Sequence, residues 1–374
     1  MSGADTLETS RLKNFDFALL GMALALSGFG ALAIYSANMQ SDSAYLNGLY
    51  LRQFVWIGVG LAAGGVAAWV DYRMIERFAY PIFLAGVIAL ALVEVSGRMA
   101  GGSQRWLHLG AFNFQPSELM KIAVIILVAR ILDDTDRDGN LGLRELIKPG
   151  LLVAIPFALV AKQPDLGTAG IYMILFAGIA LFNGVHRGTL AKVIGAVALV
   201  APAAWLFLLK PYQKKRVLTL LDPEADPMGQ GYHIIQSKIA IGSGGLWGKG
   251  VFEGTQSKLN FLPEKHTDFI FSVIAEEIGF FGAFILILLF FFLIMRMVET
   301  LVHARDKFGA LMVAGIAVMT SFHLLYNIGM TLGLFPIVGV PLPFISYGGS
   351  AMVTNAVAIG LVLNVSMRRF SVDY

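Results

Sequence analysis

The chain has no cysteine. Disulfides, thiolate metal centres and a thiol nucleophile are therefore excluded. Charge is also scarce: Asp, Glu, Lys and Arg together make up 14% of the 374 residues. Soluble domains carry about a quarter, so this chain has too few charges to cover a surface facing water. No basic cluster is dense enough for nucleic acid, although the net charge is +3 and the pI about 9.0. The Lys and Arg residues lie instead in loops, where anionic lipid attracts them. No small-residue cleavage site follows the first apolar run, which reads as a retained helix and not as a signal peptide. Asp133 to Asn140 reads as a solvated acidic turn and not as a Ca²⁺ loop. Low-complexity linkers and short-period repeats are absent.

Apolar residues are abundant: 57% of the chain, with a mean hydropathy of +0.71. Runs long enough to cross a bilayer recur. They are expected at about 16–37, 53–70, 78–96, 117–132, 149–163, 167–183, 189–209, 268–297, 308–333 and 350–367. The expected fold is all-α, a polytopic transmembrane bundle of about ten helices forming one integral membrane domain over residues 1–374. The distribution of Lys and Arg in short loops puts both termini on the cytoplasmic side. Residues 210–267 then form a large outer loop with short amphipathic helices, one of them over His233 to Ile241.

Polar residues in or beside a span are expensive and call for a reason. Outward stretches hold most of them. In Ser96 to Lys121 (SGRMAGGSQRWLHLGAFNFQPSELMK), Gly101 and Gly102 suggest a turn, followed by Arg105, Trp106 and His108. Pro116 and Ser117 read as a helix start, with Ser117 as N-cap. Glu118 and Lys121 share one helix face, either as a structural ion pair or as part of a site. In QPDLGT, Asp165 either caps the next helix or serves a site. The outer loop carries YQKKR, ending at Arg216, and later Gly242, Gly244, Gly245, Gly248 and Gly250. That glycine run suits either an interfacial turn or a phosphate cradle. In LPEKHTDFIFSVIAEE, Glu264, Lys265, His266, Thr267 and Asp268 crowd the mouth of a span. Asp268 is either an N-cap or a desolvated carboxylate with a raised pKa, fit for a general base. Deeper by about 12 Å at the helical rise, at least one of Glu276 and Glu277 should face protein or water and not lipid. The stretch PIVGVPLPFISYGGS (336–350) must pack in protein or line a cavity.

These stretches together resemble the SEDS family (shape, elongation, division and sporulation), membrane glycosyltransferases of the bacterial cell wall. The resemblance rests on QRWLHLGAFNFQPSELMKIA, QPDLGT, LLDPEADPMGQGYHIIQSKIAIGSGGLWGKG, GTQSKLNFLPEKHTDFIFSVIAEEIG and GVPLPFISYGGS, in that order over most of the chain. The form GYHIIQSKIAIGSGGLWGKG is more similar to the elongation branch than to the division branch. The resemblance implies ten transmembrane helices in the bacterial inner membrane and polymerisation of lipid II on the periplasmic face. It also implies a complex with a class B penicillin-binding protein, the crosslinking transpeptidase. It makes Asp268 the essential acid and brings Glu118 and Lys121 to the catalytic site, with Asp165 as a further family acid.

Arg105, Arg216, Lys121 and Lys265 are the expected counter-charges for a departing pyrophosphate. Lys238, His266, Thr267 and Ser346 complete the substrate-binding candidates. A divalent metal, Mg²⁺ or Mn²⁺, held by Asp268 and the phosphates is an alternative to a base role for Asp268. Competing readings are a lipid II flippase and a non-catalytic scaffold for the penicillin-binding protein. The flippase would place ionisable groups near the midplane in paired broken helices.

Overall fold

The computed structural model describes residues 14–39, 43–96, 98–100, 103–109, 112–135, 140–226, 229–259, 261–262 and 264–369. Ten long helices coincide with the ten expected spans. They are α1 (Phe17–Asn38), α2 (Leu49–Trp69), α3 (Ala79–Ser96), α4 (Pro116–Thr135), α5 (Leu143–Lys162), α6 (Leu166–Asn183) and α7 (Arg187–Ala203). Two shorter helices, α8 (Pro211–Leu221) and α9 (Gln230–Ser243), precede α10 (Ile270–Val302), α11 (Lys307–Thr331) and α12 (Gly349–Arg368). Among the described residues, seven helices are long and apolar enough to cross a membrane: α1, α2, α6, α7, α10, α11 and α12. The chain is a multi-pass membrane protein.

The position of α4 at the centre of the bundle explains why it carries more charge than a lipid-facing span. It packs against α3, α5, α6, α11 and α12. Glu118 and Lys121 are 6% and 2% exposed. A helix jacketed by other helices needs no apolar face toward lipid, so it can carry charge. Conversely, α7 buries only Thr189 among its residues.

Helix contacts rely on missing side chains. A Cβ on Gly360 would lie 2.1 Å from the Gly64 carbonyl oxygen, and one on Gly64 would lie 2.5 Å from that of Ala356. Small residues thus let α2 and α12 touch backbone to backbone, where dispersion and not water expulsion drives association. Polar side chains tie the same pair at one end of the bundle. Arg368 donates to the carbonyls of Ala68 and Trp69, and Asn364 to those of Ala67 and Val70. These are the unsatisfied last-turn carbonyls of α2. Nearby, Asp16 caps α1 through Leu19 N–H and pairs with Arg296 of α10 at 2.9 Å.

Several expectations are corrected. The fold is the expected all-α bundle, but the 96–115 connection, read as a turn, contains three short antiparallel strands, β1 (Arg98–Ala100), β2 (Ser103–Leu109) and β3 (Phe112–Phe114). The alternation of Leu107, His108 and Leu109 suits a pleated strand better than a loop. Gly101 and Gly102 lie outside the described residues, as do residues 136–139 of the acidic turn. The fifth span begins at Leu143, with Pro149 and Pro156 inside it. Ser117 is not an N-cap, because the helix starts at Pro116, where a missing N–H costs nothing. Helix α9 buries Ile234, Ser237 and Ala240 against α10 and does not simply lie on a membrane surface.

The glycine run is not a phosphate cradle. A Cβ on Gly244 would sit 2.0 Å from the Ala275 carbonyl oxygen, and one on Gly248 2.1 Å from that of Glu277. The N–H groups of Lys249 and Gly250 donate to the carbonyls of Glu276 and Glu277. Those carbonyls are open because α10 breaks at Gly279, with φ 70° and ψ −164°. The run therefore docks the 244–250 loop onto the break. Both glutamates face protein: Glu276 accepts from Lys249, Thr255 and Gln256, and Glu277 from Ser36.

Gly248→Val is expected to destabilise the protein by about 2 kcal/mol or more, since strain and a backbone clash combine. Gly21→Ala, at a position with nothing within 4 Å, should stay within about 0.5 kcal/mol. Thermal unfolding in detergent measures both; equal midpoints would contradict the docking role.

Candidate active site at the loop-rich end of the bundle

Four connections meet at one end of the bundle: 96–116, 163–166, 262–269 and 332–348. Their mutual bonds define the place. Arg105 on β2 reaches the turn before α6, where it pairs with Asp165 at 3.3 Å and donates to the Pro164 carbonyl at 2.8 Å. Gln115 N–H donates to Ser350 Oγ at the start of α12. Tyr347 N–H donates to the His266 carbonyl, and Ser346 Oγ to that of Thr267. The 336–348 stretch is buried packing as well as a wall: Val340, Leu342 and Ile345 are at most 2% exposed.

Asp268 stands at the centre. It precedes α10 but does not cap it: the N-cap is Phe269, without a side-chain bond. Its backbone carbonyl accepts from Asn327 Nδ2 at 2.9 Å. Its carboxylate receives no hydrogen bond among the described residues. Gly339, with φ 74°, turns tightly beneath it, and a Cβ there would lie 3.2 Å from Asp268 Oδ2. Burial pushes the Asp268 carboxyl up to about 7. Repulsion from Glu264 and Asp165 adds to that rise, while Arg105 and Arg216 oppose it. Lys265 beside it is lowered by burial, and His266 is lowered by burial and by Lys265.

The two arginines share a second property. Arg105 Nε and Arg216 Nε are both buried without an acceptor among the described residues. An unpaired buried donor is costly, and two of them within electrostatic reach of one carboxylate make a place for an anion. Arg216 comes from α8, where its guanidinium lies 5.8 Å from the Tyr212 ring.

Asp165 holds both of the roles left open for it. It caps α6 by accepting from Thr168 N–H and Oγ1, and it takes the Arg105 pair. Glu118 and Lys121 form a buried ion pair at 2.8 Å, about 8 Å into α4 at the helical rise. The Lys121 ammonium also lies 3.0 Å from His323 Nε2. Tyr172 of α6 donates to the Ser117 carbonyl beside them. Thr267 Oγ1 donates to Glu264, and Ser346 Oγ both donates to Thr267 and accepts from Leu342 N–H. These hydroxyls therefore brace the corner that carries Asp268. Lys238 sits apart, exposed on α9 with its stem against Gly333.

Sequence reasoning missed His323, Asn327 and Gly339. The first two had a readable signal: polar side chains four apart inside an apolar span share a face and need partners. Gly339 had none, because its neighbour is 71 residues away in sequence and meets it only in the fold.

Among the described residues, no three His, Asp or Glu side chains gather into a metal cage. Asp165 and Glu264 are already committed to Arg105, Thr168 and Thr267. The remaining donor is the Asp268 carboxylate. A hard cation that takes one protein carboxylate and fills its shell with phosphate oxygens and water fits this set; an all-protein site does not.

A family model described as "Cell cycle protein", covering FtsW, RodA and SpoVE, matches residues 17–370. The chain belongs to this family. Its SEDS relatives include the peptidoglycan glycosyltransferase MrdB of Escherichia coli K12, 44% identical over 95% of this chain and 94% of that protein. The peptidoglycan glycosyltransferase RodA of Treponema pallidum is 31% identical over 96% of this chain and 99% of that one. Among solved structures, a chain of a peptidoglycan synthase complex that coordinates polymerisation and crosslinking is similar with a TM-score of 0.81. It shares 33% identity, covering 96% of this chain and 99% of that one. RodA of Thermus thermophilus gives a TM-score of 0.70 at 28% identity, covering 96% and 98%. This SEDS chain is RodA-like in sequence and fold.

The infrared carboxylic-acid band of Asp268 is expected to titrate with a midpoint raised by burial to about 7, and to vanish in Asp268→Asn. Glu264→Gln should lower that midpoint and Arg105→Gln raise it, since each removes a charge of known sign. A midpoint in the ordinary aspartate range would remove the desolvated carboxylate from the account.

Proposed function

We propose that this protein is a peptidoglycan glycosyltransferase that polymerises lipid II into glycan strands during cell elongation. The observation that carries the reading is a partly buried carboxylate with raised proton affinity, Asp268, beside two arginines whose buried Nε donors lack acceptors among the described residues. A group that takes a proton near neutral pH and an anion-binding pair are what a sugar transfer from a pyrophosphate donor needs.

The acceptor sugar hydroxyl attacks the anomeric carbon of the donor. As the new C–O bond forms, the bond to the pyrophosphate oxygen breaks and the hydroxyl proton passes to Asp268. The α-linked donor becomes a β-1,4 glycoside, so the centre inverts in one displacement and no covalent enzyme intermediate is needed. Arg105 and Arg216 bind the departing pyrophosphate. Lys265, and Lys121 held by Glu118, add positive charge behind it. Asp165 keeps Arg105 in place while bracing the start of α6. In the alternative in which a Mg²⁺ or Mn²⁺ ion enters with the pyrophosphate, Asp268 would hold that ion in place of acting as base, and the ion would supply further charge for the leaving group.

The reaction takes place at the periplasmic face of the bacterial inner membrane, with both termini cytoplasmic. The Lys and Arg bias of the short loops supports this orientation. A class B penicillin-binding protein is the partner that crosslinks the product. Support comes from the similar chain in a complex that coordinates polymerisation and crosslinking.

Purified lipid II, supplied with partner and divalent cation, should yield long strands with the wild type. Asp268→Asn and Asp268→Ala should yield none while remaining folded in detergent. Removing a general base costs about 10²- to 10⁴-fold. Lys121→Ala should lose most activity, and Glu118→Ala part of it. Near-normal turnover in Asp268→Asn would remove that residue from the chemistry. Strands from neither protein, with flipping of labelled lipid by the wild type, would favour transport.

A further inference from the structure

Two polar side chains of α11 lie one turn apart on one face, and neither belongs to the residues assigned above. His323 is 4% exposed and Asn327 is fully buried. Burying such groups among apolar helices is costly unless their bonds are made. His323 has its bonds fixed in direction. Its Nδ1 is 2.7 Å from the Met319 carbonyl, which can only accept, so Nδ1 carries the proton. Nε2 is then an acceptor, and the Lys121 ammonium 3.0 Å away donates to it. The same ammonium lies 2.9 and 2.8 Å from the two Glu118 oxygens. Its three N–H donors thus face three acceptors, on α4 and α11.

Asn327, about 6 Å further along the axis, uses both amide hydrogens. One goes to the Asp268 carbonyl at 2.9 Å, the other to the Val340 carbonyl at 2.8 Å. It therefore joins the corner before α10 to the loop that carries the Gly339 turn, where a Cβ would lie 3.2 Å from Asp268 Oδ2. Since α11 is a continuous helix from Lys307 to Thr331, the two contacts are held at a fixed spacing.

We propose that α11 acts as a ruler for the active site: His323 positions Lys121 and Asn327 positions Asp268, so that the base and the buried ion pair keep one separation. Both are positioning residues, acting through groups that the polymerase reading already uses, and the proposal rests on that reading. Small displacements of reacting groups are costly: about 1 Å can lower a rate about 10²-fold. The acceptor at position 323 matters more than the ring. A glutamine oxygen reaches a similar distance; a leucine offers volume and no acceptor.

The experiment measures kcat and KM for lipid II consumption, per folded protein, in the partner complex. His323→Leu and Asn327→Ala are expected to lose at least about tenfold in kcat, with KM within about threefold, because ground-state binding is intact. His323→Gln should return to within about threefold of wild type. Where His323→Leu does not fold, His323→Asn, polar but too short to reach Lys121, takes its place with the same expected loss. Wild-type kcat in the folded variants, or losses that follow the folded fraction alone, would overturn the proposal. Equal failure of His323→Gln and His323→Leu would overturn the acceptor role. Absence of strands from the wild type would instead count against the polymerase reading, so the two failures are separable.

Discussion

A carboxylate held away from bulk water governs this structure. In water Asp268 would be a weak base, ionised and well solvated. Ringed by protein and placed near Glu264 and Asp165, it gains affinity for a proton. Such a group is stable only where opposing charge and firm backbone surround it. Arg105 and Arg216 supply the charge. The Asn327 amide, the Ser346 hydroxyl and the Gly339 turn supply the backbone restraint. Helices, strands and loops from residue 105 to residue 346 thus converge on one side chain.

The bilayer imposes the second constraint. Every backbone polar group within it must find a partner inside the protein. Where α10 breaks at Gly279, the freed carbonyls of Glu276 and Glu277 are taken by the N–H groups of Lys249 and Gly250. That pairing demands glycines on both sides, because the backbones touch. The same physics acts at the other end of the bundle, where Asn364 and Arg368 satisfy the end of α2. Glycines that read as loop flexibility in a sequence are here close contacts. The α4 core shows the complementary case, in which a helix enclosed by five others can hold an ion pair that lipid would not tolerate.

Much of the fold was legible because hydropathy leaves few choices. A run such as residues 17–38 or 270–302 has no stable place except across a membrane. Boundaries are less legible: the fifth span reads as about 149–163 but starts at Leu143, because Pro149 is tolerated inside a helix when neighbouring helices supply the missing bonds. The strands of 98–114 were invisible because three short segments gain stability only from pairing with one another. Within the site, Asp268, Glu118, Lys121, Asp165, Arg105 and Arg216 were readable as costly charges in recurring motifs. Ser346 and Thr267 were readable as hydroxyls, but their bracing role was not. His323 and Asn327 offered a helical i, i+4 signal that only acquires meaning once their partners are known.

By itself, the sequence determined that this chain spans a membrane many times, carries no thiol chemistry and keeps its ionisable groups in a few connecting stretches. Those conclusions follow from composition and local order, which the solvent alone enforces. Tertiary structure decided which charges meet. Arg105 finds Asp165 across 60 residues, Lys121 finds His323 across 202, and Asp268 finds Gly339 across 71. Pairing at such distances depends on how helices pack, and packing depends on shapes summed over the whole bundle. Whether Asp268 is a cap or a base is therefore fixed by its neighbours and not by its motif.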